Sequence, residues 1–185
     1  MQEKENILRI LRETLKAIKK TDSDNLKNLS NQTIHTATIA QDPDNIMVSV
    51  FVYSIGKILE RDNYKKMKEW ASFYKLLIEN VKKAIKSLEK DDLENFRNYL
   101  GEIRAAINVG KDFREYMNEI FYKASINKAA KLYEHGLSLE KVSQLLNVSL
   151  WDLSSYIGQG MIHETSFIEG ISPQERTKLL ENFLK

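Results

Sequence analysis

Proline stands at only two of 185 positions, Pro43 and Pro173, so the long stretch between them contains no residue that forbids an α-helix. Gly is almost as sparse, at seven positions, while Lys and Glu abound. Apolar residues recur at intervals of three and four, the period of a helix that buries one stripe. This predicts an all-α chain, a multi-helix bundle over residues 1–122. The absence of Cys excludes a disulfide framework, a thiolate zinc site and a Cys nucleophile, and it fits a reducing, cytoplasmic setting.

The first helix follows from Ile7, Leu8, Leu11, Leu15 and Ile18. Thr21, Asp22, Ser23 and Asp24 offer cap chemistry for a second, over residues 24–40, whose apolar stripe is weak. Asp42-Pro43-Asp44 then opens the most apolar stretch, residues 46–59. Val48, Val50 and Val52 alternate as in a strand, but Ile55, Ile58 and Leu59 continue at helical spacing and no partner strand is evident, so a central buried helix is expected. Residues 64–88 read as one amphipathic helix. Asp91 and Glu94 have capping-box spacing before another helix, stopped at Asn108-Val109-Gly110. From Lys111 a helix runs without an evident break into residues 126–135. Residues 160–170 read as irregular, and Ser172-Pro173-Gln174-Glu175 opens a tail helix, within a C-terminal segment 166–185. The apolar runs fall short of the roughly 20 residues that cross a bilayer, so no membrane is expected.

Residues 126–158, INKAAKLYEHGLSLEKVSQLLNVSLWDLSSYIG, have the spacing of three short helices. Gly136 separates the first two. Asn147 suits the left-handed turn between the second and third, Ser149 caps the third, and Val142, Leu145, Leu146, Val148, Leu153 and Ile157 supply an apolar seam. The stretch resembles the helix-turn-helix domains of bacterial and archaeal regulators. LSLEKVSQLLNVSLWDLSSYI is more particularly similar to the short motif of small antitoxin-like proteins. The resemblance covers about a fifth of the chain and implies a trihelical lobe, residues 123–165, whose third helix meets either duplex DNA or a partner protein.

That resemblance places Ser149, Leu150, Trp151, Ser154 and Ser155 at the contact surface, with Lys123, Lys128, Lys131 and Lys141 as phosphate-contacting cations nearby. The third helix departs from a DNA reader because residues 150–158 carry one Asp and no Lys or Arg, whereas phosphates call for cations and base edges for Arg, Asn or Gln. A net charge of +2 gives no compensating field. The expectation is a non-enzymatic DNA-associated regulator that works as a homo-oligomer, with an antitoxin-like protein adaptor as the alternative.

A second feature lies at residues 30–42, SNQTIHTATIAQD, where Gln32, His35, Thr36 and Gln41 replace the usual Lys and Glu. Uncharged hydrogen-bonding groups suit a half-buried polar seam, since they cost less to desolvate than ions. His35 also has the chemistry of a phosphoacceptor, but its neighbours do not match the sensor-kinase pattern. With three His and no ligand pair at metal spacing, no metal and no cofactor are expected. Most of Trp70, Phe73, Tyr74, Tyr99, Tyr116, Phe121 and Tyr122 fall on the aliphatic stripe, which predicts core packing.

Overall fold

The computed structural model describes residues 3–40, 42–105 and 111–166, and among them every regular element is an α-helix. In chain order these are α1 (Lys4–Lys20), α2 (Ser23–Ala40), α3 (Pro43–Glu60), α4 (Asp62–Lys65), α5 (Trp70–Glu89), α6 (Leu93–Ala105), α7 (Lys111–Glu134), α8 (Leu139–Leu146) and α9 (Leu150–Ser166). None of them is long and apolar enough to cross a membrane. Gln41, the expected stop at Asn108-Val109-Gly110 and the tail helix beyond residue 166 lie outside the described residues.

The apolar segment 46–59 is the central helix. Asp42 accepts a hydrogen bond from the Asp44 backbone N–H at 2.9 Å, and Pro43 occupies the first helical position, so α3 starts where its punctuation dictates. Ile46, Val48, Phe51, Val52, Ile55 and Ile58 are all buried, on more than one side of the helix, which is why its periodicity was ambiguous with a strand.

Small residues let α2 approach α3 closely. The Ser30 hydroxyl donates to the Ser49 carbonyl at 2.7 Å and the Ser49 hydroxyl to the Ser30 carbonyl at 3.0 Å, a buried reciprocal pair that satisfies both side chains. One end of the same seam is Gly56, where an added Cβ would lie 3.2 Å from Leu26 Cβ and 3.3 Å from the Ser23 carbonyl oxygen. Gly56→Val is expected to destabilise the protein by about 1–3 kcal/mol, since a branched side chain forces two packed backbones apart. A lowered denaturation midpoint with an unchanged m-value is the expected signature; an unaltered midpoint would refute the close-packing account.

Three boundaries differ from the sequence expectation. The helix expected over residues 64–88 is interrupted at residues 66–69, and α5 starts at Trp70. There the chain turns from α3 so that Phe73, Leu77 and Val81 can enter the core beside α1, a demand that local periodicity does not reveal. The cap of α6 is Asp92, which accepts from the Asn95 N–H at 3.1 Å. Asp91 instead takes the left-handed conformation at φ 60° and pairs with Lys4 at 2.6 Å. Finally, α9 runs on to Ser166 instead of ending near Gly158, because a Gly inside a helix costs only about 1 kcal/mol and no Pro intervenes.

The buried apolar residues form two clusters. The larger joins α1, α2, α3, α5, α6 and the first half of α7, with Phe73 packed against Phe113 at 5.1 Å between ring centroids. The smaller holds Ile126, Ala129, Leu132, Val142, Val148 and Leu153 together with Ile34 of α2 and Ile46 of α3. The lobe is therefore rooted in the bundle. α7 crosses the expected 122/123 boundary unbroken, as its pattern suggested. Of the aromatics expected in the core, Trp70, Phe73, Tyr74, Tyr99 and Phe121 lie in or against it, but Tyr116 and Tyr122 are exposed.

Candidate functional site

Two turns shape the lobe, and each satisfies its helix end in the same way. At the end of α7, Gly136 adopts φ +93° while its N–H reaches the Tyr133 carbonyl at 2.8 Å and the Leu137 N–H reaches Leu132 at 3.2 Å. At the end of α8, Asn147 adopts φ 49°, and the Val148 N–H bonds the Ser143 carbonyl at 3.1 Å. Both are left-handed stops of the Schellman kind, in which a Gly or Asn frees the chain to fold back. The Ser138 hydroxyl caps α8 through the Lys141 N–H, and the Ser149 hydroxyl caps α9 through the Asp152 N–H at 2.9 Å. Leu153, fully buried, pins α9 to α7 and α8.

The face that α9 leaves uncovered is aromatic and hydroxylic. Trp151 is 81% exposed and Leu150 45% exposed, with Ser154 and Ser155 also at the surface. Asp152 is the one acidic group in this part of the helix, and it is engaged: Tyr122 donates to its Oδ2 at 2.5 Å and Ser149 at 2.8 Å. These two donors, Tyr122 foremost, hold its carboxyl below the usual carboxylate range. Tyr156 accepts from the Asn127 amide at 2.9 Å, so α9 is tied to α7 at its polar edge as well as through its apolar seam.

The four lysines expected beside this helix do not converge. Lys123 pairs with Glu119 at 2.5 Å and Lys131 with Glu134 at 3.2 Å, both within α7. Lys141 is exposed in the first turn of α8. Lys128 is not on an exposed edge at all: its residue is 0% exposed. Its ammonium donates to Asn31 Oδ1 at 2.9 Å and lies 4.3 Å from the centroid of the Tyr53 ring. Burial, with the field of Lys131 second, brings its pKa down to about 8. The correction has a simple cause. Residue 128 shares a helical face with Ala124 and Leu132, four positions to either side, and both are buried against the bundle.

The polar seam is also redistributed. Ser30 and Thr33 are its buried members, whereas Gln32 and His35 are exposed and Thr36 is partly so. Gln32 accepts from Arg9 at 3.3 Å and Thr36 bonds back to the Gln32 carbonyl at 3.2 Å. His35 meets His135 edge to face, with 5.6 Å between ring centroids. Among the described residues no three His, Asp or Glu side chains are placed to hold a metal ion.

A cavity of about 430 Å³ opens between α3, α7 and α9. Tyr53, Lys57 and Arg61 contribute from α3 and the residue after it, Lys123 and Asn127 from α7, and Tyr156 from α9. Of these, the sequence singles out Lys123 and, within the motif's third helix, Tyr156. Tyr53 carried a signal, a hydroxyl-bearing aromatic inside the most apolar run of the chain; Lys57, Arg61 and Asn127 look like ordinary surface residues until three helices meet. No family model matches this chain, and no curated protein or solved structure is significantly similar to it.

Proposed function

We propose that the C-terminal lobe is a protein-docking module, an adaptor in which the first two turns of α9 seat into an apolar pocket of a partner protein. The observation that carries this reading is Trp151, 81% exposed beside a half-exposed Leu150, on a helix face with no free ionic group. A large exposed aromatic gains when its apolar surface is buried and its indole N–H meets an acceptor, and Trp is among the residues that dominate protein interfaces. Depletion of charge around it is the pattern of an interface centre.

The DNA-associated alternative needs cations next to the third helix. α9 has no Lys or Arg along its length, Lys128 is buried, Lys57, Lys123 and Lys131 each pair with a carboxylate on their own helix, and Arg61 lies in the field of Glu119. Phosphate neutralisation supplies most non-specific affinity for duplex DNA, so the distribution of charge favours protein as the partner.

A photo-crosslinking side chain placed at Ser154 tests the proposal in the native host. One discrete protein adduct is expected. Trp151→Ala should weaken its formation by about thirtyfold or more, the equivalent of losing about 2 kcal/mol of an interface anchor, while helicity is unchanged. In parallel, mixed-sequence duplex DNA is titrated at low salt. Adduct formation indifferent to Trp151, or saturable DNA binding that weakens steeply with salt and depends on Leu150 and Trp151, would overturn the docking reading.

A further inference from the structure

We infer that the partner of the docking face is a second copy of this chain, joined by a two-fold exchange in which Trp151 of each copy enters an apolar hole of the other. The exchange presupposes that Trp151 is a docking residue, and it specifies what that residue docks into. The hole is a second cavity, about 260 Å³, opening between α3, α6, α7 and α8. Met47, Phe51, Leu100, Phe121, Leu145 and Leu146 give it an apolar lining. An apolar cavity of about 150 Å³ is enough to hold benzene, so this one has room for the two fused rings of an indole.

Knob and hole lie beside one another. Phe121 and Ser125 line the hole, and Tyr122 between them reaches Asp152, the residue after Trp151. The exposed Asn147 also lines the hole and precedes Trp151 by four residues, a span of at most about 14 Å. Trp151 does not fill its own hole, being 81% exposed. Where a protrusion and a cavity of matching size are neighbours, turning a second copy by half a revolution seats both protrusions at once, the self-complementary contact of a two-fold dimer. A foreign protein would have to present its own protrusion and cavity at the same spacing, whereas a second copy carries both.

The charges next to knob and hole are complementary. Arg104 is the one charged group among the described residues that line the hole; it is exposed and makes no ion pair among them. The carboxylates at the start of α3 answer Arg97 instead, Asp44 through hydrogen bonds of 2.7 and 2.8 Å and Asp42 through its field. Asp152 stays ionised beside Trp151, held in place by two hydroxyl donors that both take Oδ2. Seating Trp151 in the hole carries this carboxylate toward Arg104 of the partner subunit, an opposite-charge contact that fixes the register. A guanidinium also favours the face of an indole.

Two anchors on a small interface support micromolar association, so sedimentation equilibrium of the purified full chain is run up to about 100 μM. A dimer is expected. Trp151→Ala removes both knobs. Gly101→Phe plugs both holes, because Gly101 is in their lining and a Cβ added there meets nothing within 4 Å. Each variant should weaken dimerisation by about a hundredfold or more, since two anchors are lost at once, and circular dichroism verifies that each is folded. An equimolar mixture of the two variants should recover a heterodimer, in which one intact knob meets one intact hole. The exchange is overturned by a chain that stays monomeric, by a dimer indifferent to Gly101→Phe, or by a mixture that forms no heterodimer. A foreign adduct from Ser154 that depends on Trp151 would then leave the docking role standing, whereas adduct formation indifferent to Trp151 removes that role as well.

Discussion

Wild-type protein is expected to gain stability as the pH rises from about 8 toward the ordinary lysine value of 10.5, and Lys128→Met is expected to abolish that gain. In the folded state burial holds the Lys128 pKa near 8, so between these limits the unfolded chain binds a proton that the folded chain has released. Stability then rises with pH, is fully present above 10.5 and is lost as the pH falls through 8. The two limits set a ceiling on the order of 3 kcal/mol. The Tyr53 ring and the Asn31 amide both favour the ammonium, which is why the lysine remains largely charged at pH 7. At that pH the Met variant should be more stable than wild type, because an apolar side chain of similar length pays no desolvation cost. Denaturant titrations of both proteins across this range measure the difference, and other titrating groups cancel in the comparison. Superimposable pH profiles would mean that Lys128 reaches water.

Leu153→Ala is expected to destabilise the whole molecule, by about 2–5 kcal/mol, and not merely to loosen the lobe. Leu153 is fully buried, and its cluster includes Ile34 and Ile46, from helices at the heart of the bundle. The two tryptophans report on the two regions separately, Trp70 at the start of α5 and Trp151 at the start of α9. Trp151→Phe leaves the bundle reporter and Trp70→Phe the lobe reporter. Their unfolding curves should coincide, and Leu153→Ala should shift both by the same amount, the mark of one cooperative unit. A Trp151 transition that shifts alone would show a lobe that unfolds independently.

Much of this architecture was legible from local pattern. The Asp42-Pro43 start of α3, the stops at Gly136 and Asn147 and the Ser149 cap are set by residues within a turn of the feature they create, so reading them required no knowledge of distant contacts. The all-α class followed for the same reason. Errors arose where the deciding partner was remote. The break before Trp70 serves packing against α1, and the cap moved from Asp91 to Asp92 as Asp91 turned left-handed and paired with Lys4. Lys128 was misplaced because its composition is that of a surface residue and only its neighbours Ala124 and Leu132 mark its face as buried.

Local chemistry along the chain is enough to determine that this protein is helical, where its caps and stops fall, that a three-helix motif ends in a helix without cations, and that no cysteine chemistry is available to it. Those properties depend on backbone freedom, short-range hydrogen bonds and side-chain identity. The tertiary structure alone decided that Lys128 is buried against Tyr53, that the lobe shares its core with α2 and α3, and that Lys57, Arg61 and Lys123 meet around one cavity. Each of these joins residues tens of positions apart in sequence. Burial, potential and cavity shape are sums over all the surfaces brought together, and no single segment carries them.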